Sequence, residues 1–245
     1  MGILDALKTG GHPYTSAVIL AAGEGQRFSN ISGEKQNKEL RGLPVIVHTL
    51  AAFEKCGLVD EIVLVCREED AEGYSSFSQR YGFSKIKAVT AGGADRMESA
   101  LAGFEKTSDK AKFTAVHDGA RCLITPPQIE SVLRAAYEKG AAAAGCPSSD
   151  TVKYSEDGVY IGETVDRSKV WLMGTPQVFM SNMYRAAVYM AQKDGARVTD
   201  DCMMAERLGF KIKLVDVGRE NVKITNPEDI YIAEAILRKR EETGK

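Results

Sequence analysis

The sequence predicts an α/β protein: a Rossmann-like, mostly parallel sheet with helices on both faces and a protruding β-hairpin arm. Three observations predict it. Short apolar, β-branched runs alternate with stretches of helical periodicity along the chain. The first such run, Ser16–Leu20, feeds a glycine-containing turn, Ala21-Ala-Gly-Glu-Gly-Gln-Arg-Phe28. One segment, Ser148–Arg167, breaks the alternation with short β-prone pieces and a turn.

In chain order, residues 1–14 have no signal-peptide core and are expected to be an extension. Residues 15–245 are read as one domain, since no repeat or low-complexity linker divides them. The expected sheet strands are Ala17–Leu20, Glu61–Cys66, Ile86–Thr90, Phe113–His117 and Ala141–Cys146. Ile46, Leu50 and Phe53 recur at helical spacing after Pro44, which suits a first-turn proline. Thr125-Pro126 opens a helix with Ile129, Val132, Leu133 and Ala136 on one face, and Gly140 ends it. Asn226-Pro227 opens the last helix, with acidic first-turn residues. The arm is expected at about 148–170, with Thr151–Tyr154 and Val159–Ile161 as its two strands. A two-stranded hairpin is marginal alone in water, so this polar one is expected to pack on a second copy of the chain as a homodimer.

The bulk numbers exclude several classes. The 245 residues carry a net charge of −2, which gives no reason to expect a nucleic-acid or anionic-membrane partner. No apolar run reaches the roughly 18 residues of a membrane helix. The five cysteines form no C-x-x-C, and Cys56 and Cys66 lie in apolar runs as small buried hydrophobes, which fits a reducing cytoplasm. His12, His48 and His117 show no metal-ligand spacing.

The chemistry concentrates in the first loop. A buried strand ending in a glycine turn presents backbone N–H groups at the carboxyl edge of a sheet, where phosphate binds. Arg27 and Lys35 add two cations that can neutralise charge building on a phosphoryl group. A dinucleotide fingerprint is broken here, because Phe28 stands where its third glycine belongs.

This loop resembles the L-A-A-G-x-G-x-R…K motif of nucleotidyltransferases. With Gly92-Gly-Ala-Asp-Arg-Met-Glu-Ser99, Val116-His-Asp-Gly-Ala-Arg121, Thr164-Val-Asp-Arg-Ser168, Gly174-Thr-Pro-Gln177 and Asn221-Val-Lys-Ile-Thr-Asn-Pro-Glu-Asp229, the chain is similar to the 2-C-methyl-D-erythritol 4-phosphate cytidylyltransferases of the non-mevalonate isoprenoid pathway. The resemblance implies transfer of a cytidylyl group from CTP to the sugar-alcohol phosphate, with Mg2+ on the phosphates. It implies that Arg27 and Lys35 serve the triphosphate and that Arg167 and Lys223 hold the incoming phosphate. It assigns Ala21, Ala22, Gly23, Gly93, Ala94, Ser99 and Gly119 to the nucleotide, and Asp118, Arg121, Thr151, Thr175 and Thr199 to the acceptor, with Thr225 near the same site. In the family the arm carries Thr151 and Arg167 across a dimer.

Two places depart from the family pattern. Glu34 replaces a usual proline and Asn37-Lys38 replace apolar residues, although ungapped spacing to Pro44 still prefers Lys35 over Lys38. Ala94 stands where an acidic residue is common. Asp118, at a strand's carboxyl end, is expected to hold a substrate hydroxyl or help place Mg2+. Arg121 suits either a substrate role or a structural ion pair with Asp118. The runner-up readings are a ribitol-5-phosphate cytidylyltransferase, an NAD-dependent Rossmann oxidoreductase and a catalytically silent nucleotide-binding protein. Thr164–Trp171 disfavours the first, and neither Tyr184 nor Tyr189 has the Lys four residues on that the second wants.

Overall fold

The computed structural model describes residues 11–23 and 39–244. In chain order these form β1 (Thr15–Leu20), the short ribbon β2 (Glu39–Leu40) and β3 (Leu43–Pro44), α1 (Val45–Lys55), β4 (Glu61–Cys66), the short helices α2 (Ala71–Ser75) and α3 (Phe77–Tyr81), β5 (Ile86–Ala91), α4 (Arg96–Phe104), β6 (Phe113–Asp118), α5 (Pro126–Lys139) and β7 (Ala141–Pro147). Then come β8 (Val152–Tyr154), β9 (Glu163–Val165), β10 (Trp171–Met180), α6 (Ser181–Lys193), α7 (Asp201–Arg207), β11 (Lys213–Asp216) and α8 (Glu228–Thr243).

Seven strands build the main sheet in the order β11-β7-β10-β6-β1-β4-β5. β10 runs antiparallel to β6 and β7, and the other pairs are parallel. Every residue of β4 and β6 is buried, as strands covered on both faces require. Side chains alternate between two cores. Ala17, Ile19, Phe113, Ala115, Ala142 and Ala144 join Leu50 and Phe53 of α1 and Ile129 and Leu133 of α5. Val116, Ala141, Ala143 and Phe179 join Phe104 of α4, Tyr184 of α6 and Met204 of α7. Each fully buried Leu, Ile or Phe contributes about 1.5–3 kcal/mol.

The five expected strands are present, each within two residues of its expected ends. Thr125 donates its backbone N–H to Gln128 Oε1 (2.9 Å) to start α5, and Gly140 ends it at φ 88°. Asp229, in the first turn of α8, accepts from the N–H groups of Thr225 and Asn226 and from the Thr225 hydroxyl. Pro44 closes β3 and precedes the first helical residue of α1 rather than sitting within its first turn.

The arm needs a further correction. The second arm strand is Glu163–Val165, with Val152 opposite Val165 and Tyr154 opposite Glu163. Val159–Ile161 lies in the turn instead. Asp157 Oδ1 accepts from the N–H groups of Val159 (2.9 Å) and Tyr160 (3.0 Å), and the Ser155 hydroxyl donates to the Tyr160 carbonyl (2.6 Å). That knot curls the chain, so pairing resumes only after Gly162. Tyr160 is left 76% exposed. The ten-residue strand β10 was also unexpected. It contains Gly174 and Pro176, which weaken a strand pattern, and they sit at the register shift between Met173 and Gln177.

Candidate active site

Parallel pairing brings the carboxyl ends of β1, β4, β5 and β6 to one edge of the sheet. The loops beyond them are tied to neighbouring strands through their backbones. Ala21 N–H donates to the Val65 carbonyl (2.7 Å), Gly92 N–H to Cys66 (2.8 Å) and Gly119 N–H to Leu20 (2.8 Å). The loops also touch. A Cβ added to Gly92 would lie 2.6 Å from the Ala22 Cβ, and one on Gly119 3.0 Å from the Leu20 carbonyl oxygen. Glycine at these positions permits the close approach.

The loop before α4 is held from within. Asp95 caps the helix by accepting from Glu98 N–H (2.8 Å), and Glu98 Oε2 accepts from Ala94 N–H (2.7 Å). The Ser99 hydroxyl accepts from Gly93 N–H (3.2 Å) and donates to the Asp95 carbonyl (2.8 Å). Ser99 thus shapes the Gly93–Ala94 loop. Gly119 likewise spends its carbonyl on the Thr49 hydroxyl (2.8 Å).

Asp118 is the electrostatic centre of this edge. Its carboxylate meets Lys223 Nζ at 2.9 Å, Arg121 Nε at 3.3 Å and Arg96 Nε at 3.6 Å. Burial opposes its ionisation, but the three cations overcome that and hold the carboxyl far below the usual carboxylate range. Arg121 also donates to the Asn221 carbonyl (3.0 Å) and the Met173 carbonyl (3.3 Å), so its guanidinium is committed to structure as well as to Asp118. Arg96 reaches on to Asp201 Oδ2 at 2.7 Å. Asp201 is fully buried and accepts from the Tyr184 hydroxyl (2.8 Å). Three cations against two carboxylates leave one positive charge in excess. Lys223 is the most exposed of the three, with 38% of its side chain accessible.

His117 supports the same corner from below. Its Nε2 faces the Arg121 carbonyl (3.3 Å), which only accepts, so Nε2 carries the proton. Nδ1 then accepts from the Thr175 hydroxyl (3.0 Å), whose oxygen accepts Asp118 N–H (3.0 Å). Burial lowers the imidazole to about 3 and keeps it neutral, consistent with this chain of bonds.

Among the expected site residues, Asp118, Arg121, Thr175 and Lys223 come together. Thr175 is buried, and its hydroxyl is used internally. Thr199 and Thr151 are exposed. Arg167 follows the arm, is exposed, and donates to the Ser149 carbonyl (3.1 Å), so within one chain its recorded bond is not to the Asp118 cluster. Thr225 acts through the α8 cap and not through a free hydroxyl. Arg27 and Lys35 lie outside the described residues.

Among the described residues, the donors at this edge do not suit a resident Mg2+. Asp118 is surrounded by cations, which repel a divalent ion. Among the described residues no group of three His, Cys, Asp or Glu side chains could cage a metal. The expectation that Asp118 helps place Mg2+ therefore does not match its surroundings.

Arg96 and Asp201 were missed by residue reasoning. One signal was present: Arg96 is the first residue of α4, where the helix dipole disfavours a cation, so it needed a carboxylate partner.

Comparisons with known proteins place the chain in a family. A family model described as 2-C-methyl-D-erythritol 4-phosphate cytidylyltransferase matches residues 15–239. A relative with that name from Alkaliphilus oremlandii is 37% identical over 229 residues, covering 93% of this chain and 97% of its own. Another from Syntrophus aciditrophicus is 36% identical, covering 94% and 98%. Among solved structures, a 4-diphosphocytidyl-2C-methyl-D-erythritol synthase from Anaerococcus prevotii is similar at TM-score 0.82 and 29% identity, covering 92% of this chain and 96% of that one. A 2-C-methyl-D-erythritol 4-phosphate cytidylyltransferase from Thermus thermophilus gives TM-score 0.73 at 30% identity, covering 92% and 99%. The cation-rich sheet edge and these matches give one answer: the chain belongs to the 2-C-methyl-D-erythritol 4-phosphate cytidylyltransferase family and is a cytidylyltransferase.

Proposed function

We propose that this cytidylyltransferase joins CTP and 2-C-methyl-D-erythritol 4-phosphate at the carboxyl edge of the sheet, on the way to isoprenoid precursors. An oxygen of the acceptor phosphate attacks the α-phosphorus of CTP. The new P–O bond forms as the bond to the β-phosphate bridging oxygen breaks, and pyrophosphate leaves. The attacking phosphate is already ionised, so no strong general base is required. The difficulty is repulsion between two polyanions, and catalysis consists of alignment and charge stabilisation.

The observation that carries this reading is the Asp118 cluster, with its excess positive charge and accessible Lys223 beside the glycine-lined loops. Lys223 holds the acceptor phosphate, and Asp118 and Thr199 face the sugar-alcohol hydroxyls. Arg27 and Lys35 serve the triphosphate. Ala21, Ala22, Gly23 and the Gly93–Ala94 loop bound the cytosine and ribose. Mg2+ arrives as part of the Mg·CTP substrate, where it offsets phosphate charge.

A homodimer completes the site. The hairpin tip exposes Val159, Tyr160 and Ile161, apolar groups suited to a protein surface. On a second copy, Thr151 and Arg167 are then delivered beside the partner's Lys223. No helix among the described residues is long and apolar enough to cross a membrane, and a cytoplasmic setting suits phosphorylated substrates.

Coupled pyrophosphate release with each nucleotide and acceptor tests the reading. CTP with the methylerythritol phosphate should be fastest, with UTP the nearest competitor because only polar groups separate the two bases. Equal turnover with ATP or GTP, or preference for ribitol 5-phosphate, sinks the assignment.

A further inference from the structure

The geometry points to Arg96 as a positioning residue that keeps Asp118 anchored when Lys223 leaves it for the acceptor phosphate. This rests on the placement of the acceptor phosphate at Lys223 given above. In the structure Lys223 and Asp118 are bonded to each other at 2.9 Å. A lysine cannot serve a substrate fully while it remains the nearest partner of a carboxylate. Removing it from Asp118 would leave a nearly buried charge short of a partner, which is costly.

Arg96 provides the replacement. Its Nε lies 3.6 Å from Asp118 Oδ1, a charge–charge contact longer than a hydrogen bond, whereas Lys223 and Arg121 share Oδ2, so the first oxygen has a cation of its own that does not depend on the lysine. Arg96 is itself fixed, because Nη1 pairs with Asp201 at 2.7 Å. Asp201 is the first residue of α7 and is locked by Tyr184, a fully buried phenol whose hydroxyl donates to Oδ1 at 2.8 Å. The neighbouring Asp200 accepts from Met203 N–H (2.9 Å) and from Gln177 Nε2 (2.8 Å). The chain Tyr184–Asp201–Arg96–Asp118 therefore links the second core to the carboxyl end of β6 and to the corner that carries Thr199. A planar guanidinium spans the two carboxylates with donors in a fixed fork, whereas an ammonium on a flexible stem would do so with less fixed geometry.

Steady-state kinetics of the full chain test this, with wild type, Arg96→Ala, Arg96→Lys and Tyr184→Phe compared. In Arg96→Ala, Lys223 stays on Asp118. The acceptor KM should rise about tenfold, with kcat within about threefold and the KM for CTP within about twofold. Arg96→Lys should recover part of the acceptor KM, and Tyr184→Phe, which keeps all three cations, should raise it about threefold. Equal rises in both KM values, a fall in kcat alone, or a lowered melting temperature with unchanged kinetics would each overturn the inference. If Arg96→Ala fails to fold, an unchanged acceptor KM in both remaining variants overturns it. Calorimetric titration with inorganic phosphate reads the same step without turnover. The phosphate binding that Lys223→Ala abolishes should weaken in Arg96→Lys and Tyr184→Phe; equal affinity contradicts the inference. A wild type that binds phosphate through Lys223 but does not consume CTP and the acceptor would fail the functional reading instead.

Discussion

Acidification should unlock the site corner through His117 before it touches Asp118. The imidazole is fully buried against Phe53, with ring centroids 4.9 Å apart, and both nitrogens are used in its neutral form. Protonation would put a donor on Nδ1, where the Thr175 hydroxyl already donates. Folded, the group titrates near 3; unfolded, it titrates near its ordinary value of 6.5. A depressed folded value means that the stabilisation is present above about 6.5 and is lost as pH falls toward 3. The slope is about 1.4 kcal/mol per pH unit, so lowering pH from 7.5 to 5.0 should cost about 2 kcal/mol from this group. Asp118 adds nothing in that window, because its own stabilisation is lost only below the ordinary carboxylate range. Urea unfolding at the two pH values measures the loss. His117→Gln, which has no proton to gain there, should be less stable than wild type at pH 7.5 and should lack this share of the slope. Parallel losses in wild type and His117→Gln would refute the reasoning.

Other outcomes follow from the same account. Arg27→Ala and Lys35→Ala should each lower turnover by about 10²-fold or more with little change in melting temperature, while Lys38→Ala stays active; a crippled Lys38→Ala beside an active Lys35→Ala would reverse the assignment. Arg167→Ala and Lys223→Ala, each impaired alone, should recover activity in part when mixed under subunit exchange, because one site of the heterodimer then keeps both residues. No recovery despite demonstrated exchange, or a monomer in sedimentation, removes the shared-site reading. Cys56, Cys66, Cys122 and Cys202 are buried, with burial raising Cys66 to about 11 and Cys122 to about 12, so a thiol reagent should titrate Cys146 first in native protein and all five after unfolding. Rapid reaction of Cys66 would contradict its position in a fully buried strand.

The parallel sheet was legible because its central strands are apolar on both faces, so Glu61–Cys66 and Phe113–His117 stand out as continuous runs. β10 was not, because Gly174 and Pro176 interrupt its pattern and its antiparallel partners supply the missing order. The arm was legible as a hairpin but not in register, since register depends on the Asp157 turn and not on the apolar residues at the tip. At the site, the family resemblance pointed to Asp118, Arg121 and Lys223, which the fold gathers. It could not identify how they are held. The Arg96–Asp201 pair joins residues 105 positions apart in sequence, and only the packing of α4 against α6 and α7 brings them within 2.7 Å. Ser99 shows the converse: its motif position suggested a ligand contact, whereas its hydroxyl serves the loop that surrounds it.

The central claim is that the cation cluster on Asp118 receives the acceptor phosphate, and Lys223→Ala tests it most directly. With methylerythritol phosphate varied at saturating Mg·CTP, and CTP varied at saturating acceptor, the variant should lose at least about tenfold in kcat/KM for the acceptor while its KM for CTP stays within about twofold. An unchanged acceptor kcat/KM, or an equal loss for both substrates, would contradict the account.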